Sequence, residues 1–484
     1  MNNQATIFNQ RRAGILAHIT SLPGPQTAGD LGQDAYSFID FLNKTGFTVW
    51  QTLPLGMPHG DGSPYQCMSA HAGNTALISR NKLVIAGWLE ARQLLEENFL
   101  DLAYAGFIAK ANEQQQQEFT EFCDQQAGWL DDFALYLFWK NSFAGQGWID
   151  WPEPYRDRDS VALKTAIATN TTALTRIKFQ QFIFFQQWLE LRAYANQQGV
   201  LLFGDIPIFV AYDSADVWAD RDNFKLNADG SMPVVAGVPP DYFSETGQRW
   251  GNPHFNWPHM ESQGFAWWLQ RIETQLLLFD IVRIDHFRGF EAAWEVPTSE
   301  DTAINGAWVK APGQQLLKKI QQHFGDIALV AEDLGVITPE VEALRDDFGL
   351  PGMKILQFGF SEDPENPHEP HNCSQHNVMY TGTHDNDTTL GWYQQLSTEQ
   401  KQRVDSYLGS TEKDMPDVLI NWALASVAKM AILPMQDVLV LDGEHRMNVP
   451  GTIEGNWVWR FSWGQLTEHR IEYLRKRLAL YGRL

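Results

Sequence analysis

Four carboxylates stand where short apolar runs end. Asp205 closes LLFGD, Asp285 closes IVRID, Glu332 closes IALVAE, and Asp385 follows VMYTGTH, two residues beyond Thr383. An ionised carboxyl at the end of a buried strand costs free energy unless it is paired or in use. A cap or a salt bridge explains any one of them, but four on separate strands argue for a shared site. Arg283 precedes Asp285 by two residues, so on a strand both side chains project to one face, where the guanidinium holds the carboxylate ionised as a nucleophile requires. Glu332 lies among Val330, Ala331 and Leu334, and desolvation there raises a carboxyl toward the range of a general acid. Two carboxyls under opposed pKa pressures on neighbouring strands are the arrangement for glycosidic bond cleavage, with retention at a separation of about 5 Å. His384, beside Asp385, offers a hydrogen bond to a sugar hydroxyl, although taken alone a loop histidine in that place reads as a cap for local backbone. The sequence contains no GxSxG elbow, no GxxxxGK phosphate loop, no HExxH and no GxGxxG opening a helix after a strand.

These carboxylates need a scaffold that brings distant strand ends together. Eight short apolar runs read as strands: 14–20, 48–53, 200–206, 280–285, 327–332, 353–358, 378–383 and 432–439. Helical spacing of apolar residues recurs between most of them, at 34–45, 176–198, 263–278, 313–323, 338–347 and 417–429. Alternation of near-continuously apolar strands with helices means a parallel sheet covered on both faces, and eight units point to an α/β fold, a (β/α)8 TIM barrel. In such a barrel chemistry sits at the C-terminal ends of the strands, where all four carboxylates fall. A plain barrel needs about 250 residues. The remainder of 1–484 is accounted for by two insertions into a single catalytic domain: 56–170, a helical subdomain, and 211–258, aromatic-rich lid and substrate-binding loops with little periodicity. The QQQQ run at 114–117 reads as a solvated helix face or loop, and no internal repeat is visible.

The charge balance narrows the partners. With 36 Lys and Arg against 59 Asp and Glu, the net charge of −23 repels a nucleic acid backbone or an anionic bilayer, so neither is an expected partner. The 19 Trp, 13 Tyr and 29 Phe serve a large core and also the faces of sugar rings. Cys67, Cys123 and Cys373 are too few and too scattered for a disulfide framework or a CxxC motif, which fits a reducing cytoplasm. The first twelve residues lack an apolar signal region, and no stretch has the length of a membrane span.

Longer blocks then carry a resemblance. GDGSPYQ (60–66), GDIPIFV (204–210), PPDYFSETGQRWGNP (239–253), VRIDHFRGF (282–290), AEDLG (331–335), GTHDND (382–387), RMNVPGT (446–452) and GNWVWR (455–460) occur in order over most of the chain. They resemble the amylomaltases or disproportionating enzymes, 4-α-glucanotransferases of the α-amylase clan. VRIDHFRG, AEDLG and THD alone would mark the wider clan, whereas DYFSETGQRWGNP singles out the transferases. The resemblance implies that Asp285 is the nucleophile, Glu332 the acid/base and Asp385 the third carboxylate, gripping the sugar at the cleavage point. It places Arg283 and His384 beside them, Asp205 as an anchor from the third strand, Asp241, Gln248 and Trp250 on a lid over 239–253, and Tyr65, Phe358, Asn448 and Asn456 as peripheral contacts. Amylases carry a histidine at the end of the third-strand block; this sequence reads DIPIFV there, as amylomaltases do. The implied partners are α-1,4-glucans and glucose, with no cofactor and no metal, since Asp385-Asn386-Asp387 is too brief for a calcium site. The expected protein is the short form without a carbohydrate-binding module, monomer or homodimer. Rival readings are an α-1,4-glucan hydrolase of the same clan and a non-catalytic glucan-binding protein.

Overall fold

Strands that are apolar on both faces must be covered on both, and this chain closes them on themselves. Every residue of Val49–Gln51, Leu329–Ala331, Asn377–Tyr380 and Met430–Pro434 is buried. In the computed structural model, which describes residues 7–240 and 244–484, twelve strands follow in chain order. They are β1 (Arg12–Leu16), β2 (Val49–Gln51), β3 (Leu201–Pro207), β4 (Val234–Val238), β5 (Gln248–Arg249), β6 (Ile281–Asp285), β7 (Ala292–Pro297), β8 (Ala307–Lys310), β9 (Leu329–Ala331), β10 (Gly352–Ile355), β11 (Asn377–Tyr380) and β12 (Met430–Pro434). Eight close into a barrel in the order β1-β12-β11-β10-β9-β6-β3-β2, with every pairing parallel. The other four make an antiparallel sheet, β5-β4-β7-β8.

Each of the eight runs read as strands overlaps one barrel strand, so the fold is the (β/α)8 barrel that their pattern predicts. Some ends shift. The eighth run was expected to continue to 439, but the ladder stops at Pro434 and the chain turns into helix over Met435–Val438, because proline has no N–H to extend a pairing. Helices Gln33–Thr45, Thr171–Gln197, Ala266–Leu278, Gly313–Phe324, Pro339–Asp347 and Asp417–Ala425 correspond to the six helical patterns. Among the described residues no helix is long and apolar enough to cross a membrane.

Segment 56–170 contains helices Phe99–Lys110, Glu113–Gln125, Ala127–Ser142 and Ser160–Thr169. They meet the long helix Thr171–Gln197 through packed rings, among them Phe107–Phe179 at 5.0 Å and Phe119–Phe182 at 5.4 Å. Much of the aromatic excess is therefore core. Segment 211–258 departs from its expected irregularity: it supplies β4 and β5, which pair with each other, and β4 pairs antiparallel with β7, which lies outside the segment and pairs in turn with β8. The aromatics expected there to stack on sugar are mostly inside as well. Trp218, Phe224 and Phe255 are buried, and the Tyr212 hydroxyl donates to the Gly230 carbonyl. Tyr242, Phe243 and Asp241 lie outside the described residues.

Candidate active site

Strand register sets the site. β3 pairs with β6 so that Asp205 lies beside Arg283, and β6 pairs with β9 so that Ile284 lies beside Ala331. Asp285 and Glu332, each the next residue on, leave adjacent strands at the same rim. Arg283 Nη1 donates to both oxygens of Asp205 at 2.8 and 2.6 Å, and its Nη2 donates to Asp285 Oδ1 at 2.7 Å. Tyr65 Oη donates to Asp205 Oδ2 at 2.8 Å. The Asp205 side chain has no exposed surface, so it reaches a ligand only through Arg283 and Tyr65.

Both oxygens of Glu332 accept backbone N–H groups, Oε2 from His286 at 2.5 Å and Oε1 from Leu334 at 2.8 Å. His286 adopts a left-handed backbone, φ 52°, to reach it, a conformation that costs a residue with a side chain roughly 1–2 kcal/mol. Its ring meets Trp250 edge to face at 4.8 Å. Asp385 accepts from Asn448 Nδ2 at 2.7 Å, and His384 Nε2 stands 3.3 Å from its other oxygen. His384 is itself buried and stacked on Tyr65, with ring centroids 5.1 Å apart and planes at 15°. About half of the Asp385 side chain, 48%, remains open.

The electrostatics separate the three carboxyls. Burial pushes Glu332 up to about 8, with the Asp285 charge adding to the rise and Arg283 and the two N–H donors opposing it. Asp285 also rises, to about 6: burial is the largest cause and outweighs the opposing Arg283. This corrects the expectation that Arg283 alone would dominate at Asp285, because the guanidinium spends one nitrogen on Asp205 and offers Asp285 only the other. The order is kept, with Glu332 the higher. At Asp385 burial acts upward, yet His384 and Asn448 hold the carboxyl well below the usual range.

All three carboxyls open into one cleft of about 540 Å³. Tyr65, Gln248, Trp250, Arg283, Phe358 and Asn448 line it with them. Asn456 does not. It is buried, with Oδ1 accepting from the Val449 N–H at 2.8 Å and Nδ2 donating to the Thr452 carbonyl at 2.9 Å, so it ties the turn that carries Pro450 and Gly451 onto the cleft rim. Several lining residues were not singled out from the sequence: Gln66 and Asn252, joined side chain to side chain at 3.1 Å, together with His286, Arg288, Trp308 and Trp457. Gln66, Asn252, His286, Arg288 and Trp457 lie inside the quoted blocks, where a motif marks them without saying which way they point. Trp308 lies in no block.

Residues 17–467 match the family model described as 4-alpha-glucanotransferase. The chain belongs to the 4-alpha-glucanotransferase family. A 4-alpha-glucanotransferase of Thermus thermophilus is 48% identical over 500 residues, covering 98% of this chain and 99% of that one. One from Synechocystis is 46% identical, covering 99% of each. Among solved structures, the amylomaltase from Streptococcus agalactiae in complex with acarbose superposes with a TM-score of 0.93 at 36% identity, covering 98% of this chain and all of that one. The activity of the 4-alpha-glucanotransferase family, transfer of 4-α-glucan, is thereby the activity of this chain, and the barrel is the family's fold.

Proposed function

We propose that this cleft transfers α-1,4-glucan segments by a retaining double displacement, with Asp285 as nucleophile and Glu332 as acid/base. The observation that carries the reading is the pair itself: two carboxyls at the ends of adjacent strands in one cleft, with Glu332 held above Asp285. Glu332 gives its proton to the departing glycosidic oxygen while Asp285 attacks the anomeric carbon, forming a β-linked glycosyl-enzyme. Glu332 then takes the proton of an acceptor 4-hydroxyl as that oxygen displaces Asp285, and the α linkage returns. Arg283 orients Asp285, and Asp205 and Tyr65 hold Arg283 in place. Asp385, fixed by Asn448 and His384, accepts hydrogen bonds from the ring hydroxyls of the donor sugar, gaining strength as the oxocarbenium-like state forms. Gln248, Trp250, Asn448 and Phe358 line the path of the chain, and Asp241 is assigned with them on sequence alone. Trp250, packed on His286 beside Glu332, excludes water from the second step. Acarbose, bound by the Streptococcus agalactiae relative, is expected to compete with maltodextrin here.

We assign the two insertions to a single barrel domain and place the enzyme in the cytoplasm, where three unpaired cysteines stay reduced, as monomer or homodimer. Incubation with maltotriose tests the function. Glucose plus a ladder of longer maltodextrins is the expected product, and shorter products alone would turn the reading to a hydrolase. Asp285→Asn keeps an oxygen facing Arg283 and abolishes both transfer and hydrolysis; retained turnover would remove Asp285 as nucleophile.

A further inference from the structure

The cleft has two ends, and the proposed chemistry assigns them. Asp385 and Asn448 mark the donor end. Glu332 protonates the leaving sugar and deprotonates its replacement, so the acceptor lies on the side toward which Glu332 faces. Contacts link that side to Trp308: the Leu334 N–H donates to Glu332, Arg288 donates to the carbonyl of Val336 two residues on, and Arg288 lies over the Trp308 ring, all of these residues lining the cleft. We propose that Trp308 is an acceptor-side platform on which the second or third glucose ring of an incoming α-1,4-glucan stacks, making this enzyme discriminate glucan acceptors from free glucose; the proposal rests on the assignment of Glu332 as acid/base.

Two tryptophans face one another across the antiparallel sheet, with Trp294 and Trp308 directly opposite in register and their rings 5.2 Å apart, edge to face. They have different fates. Trp294 packs against the small core of Val235, Val296 and Ala303, and its indole N–H donates to the Ala303 carbonyl at 2.9 Å. Trp308 is not part of that core and stays 37% exposed while lining the cleft. An exposed indole is ordinarily free to turn, but this one is not. The Arg288 guanidinium sits 3.6 Å from its ring centroid. Arg288 is only 4% exposed and is pinned in turn by donation to the Val336 carbonyl. With a cation against one face and an indole edge at its side, the ring is held as a rigid flat surface whose other face meets no ring or cation among the described residues, the form of a platform for a sugar ring.

The test isolates the acceptor. An α-maltosyl fluoride donor brings no sugar to the acceptor end and needs no proton from Glu332 to release fluoride. With maltotriose as acceptor, Trp308→Ala is expected to raise the acceptor KM roughly five- to tenfold, about one decade of affinity, with kcat kept. With glucose, which fills only the position next to Glu332, KM is unchanged. Trp308→Phe keeps most of the maltotriose affinity, whereas Trp308→Gln, which still covers Arg288 but has no ring, loses as much as alanine. An unchanged maltotriose KM, or an equal loss with glucose, overturns the platform. Wild-type enzyme giving no transfer to either acceptor overturns the assignment of Glu332 and Asp285, and the platform with it.

Discussion

At the scale of single residues the decisive contrast is between two carboxyls on neighbouring strands. Glu332 is pushed up to about 8 and Asp285 to about 6, both by burial first. In the proposed mechanism the competent form has Asp285 ionised and Glu332 protonated. As pH falls through the lower value the nucleophile is lost; as it rises through the upper value the acid is lost. The kcat/KM for maltotriose is therefore expected to be bell-shaped, with limbs near 6 and 8, since that ratio reports the free enzyme. An α-maltosyl fluoride donor needs no proton on its leaving group, so its profile keeps the acid limb and loses the alkaline one. An alkaline limb that persists with the fluoride would take the acid role from Glu332. Comparing donors is cleaner than Glu332→Gln, because both Glu332 oxygens accept backbone N–H groups and an amide nitrogen would face one of them.

Among the elements, the antiparallel sheet builds the acceptor wall and was the part least legible in the sequence. Strands β4 and β5 meet in a close approach: a Cβ on Gly237 of β4 would lie 2.3 Å from the carbonyl oxygen of Gln248 on β5, a residue that lines the cleft. The Trp250 N–H also donates to the Ala236 carbonyl on β4 at 2.9 Å. Gly237→Val is expected to push β5 outward and carry Gln248 and Trp250 away from Glu332. KM for maltotriose then rises roughly tenfold, a loss of about 1.4 kcal/mol, and glucose released by hydrolysis grows relative to transfer. Unchanged KM and product ratio, read by chromatography, would detach this wall from function. The eight barrel strands were readable because each is a run apolar on both faces, a local signal. AAWEVP and AWVK, which became β7 and β8, carry no such signal, and β4 finds β7 across more than fifty intervening residues. Hence Trp308 was invisible, although the carboxylates were not. The blocks identified Asn456 as part of the site region, but its inward orientation is set by Val449 and Thr452, which only the folded turn brings together.

For the whole molecule, the barrel separates chemistry at one end from stability at the other, and the far end is tied by arginines. Arg483 is buried and donates to the backbone carbonyls of Leu424, Ser426, Ala428, Lys429 and Arg12 at 2.7–3.2 Å. Arg11 adds donations to Leu424, Ser426 and Tyr481. Lys429 and Arg12 stand where β12 and β1 begin, so this clasp joins the first and last strands of the barrel at the rim opposite the carboxylates. Burial lowers Arg483 to about 9, with the neighbouring Arg11 charge contributing, yet it stays charged at neutral pH. Removing the fork takes a charged donor from each of these carbonyls; Leu424 and Ser426 keep Arg11 and Lys429 keeps the Arg12 N–H, so the loss falls mainly on Ala428 and Arg12, at roughly 1–3 kcal/mol each. Arg483→Ala is therefore expected to cost roughly 3–5 kcal/mol of stability, seen as a lower denaturant midpoint, while kcat/KM for maltotriose at 25 °C is unchanged. Arg483→Lys recovers little, because an ammonium on a flexible stem cannot reproduce a planar five-donor fork. A fall in kcat/KM at full folding would mean that the closure of β1 on β12 also tunes the cleft, and that the two ends of the barrel are coupled rather than independent.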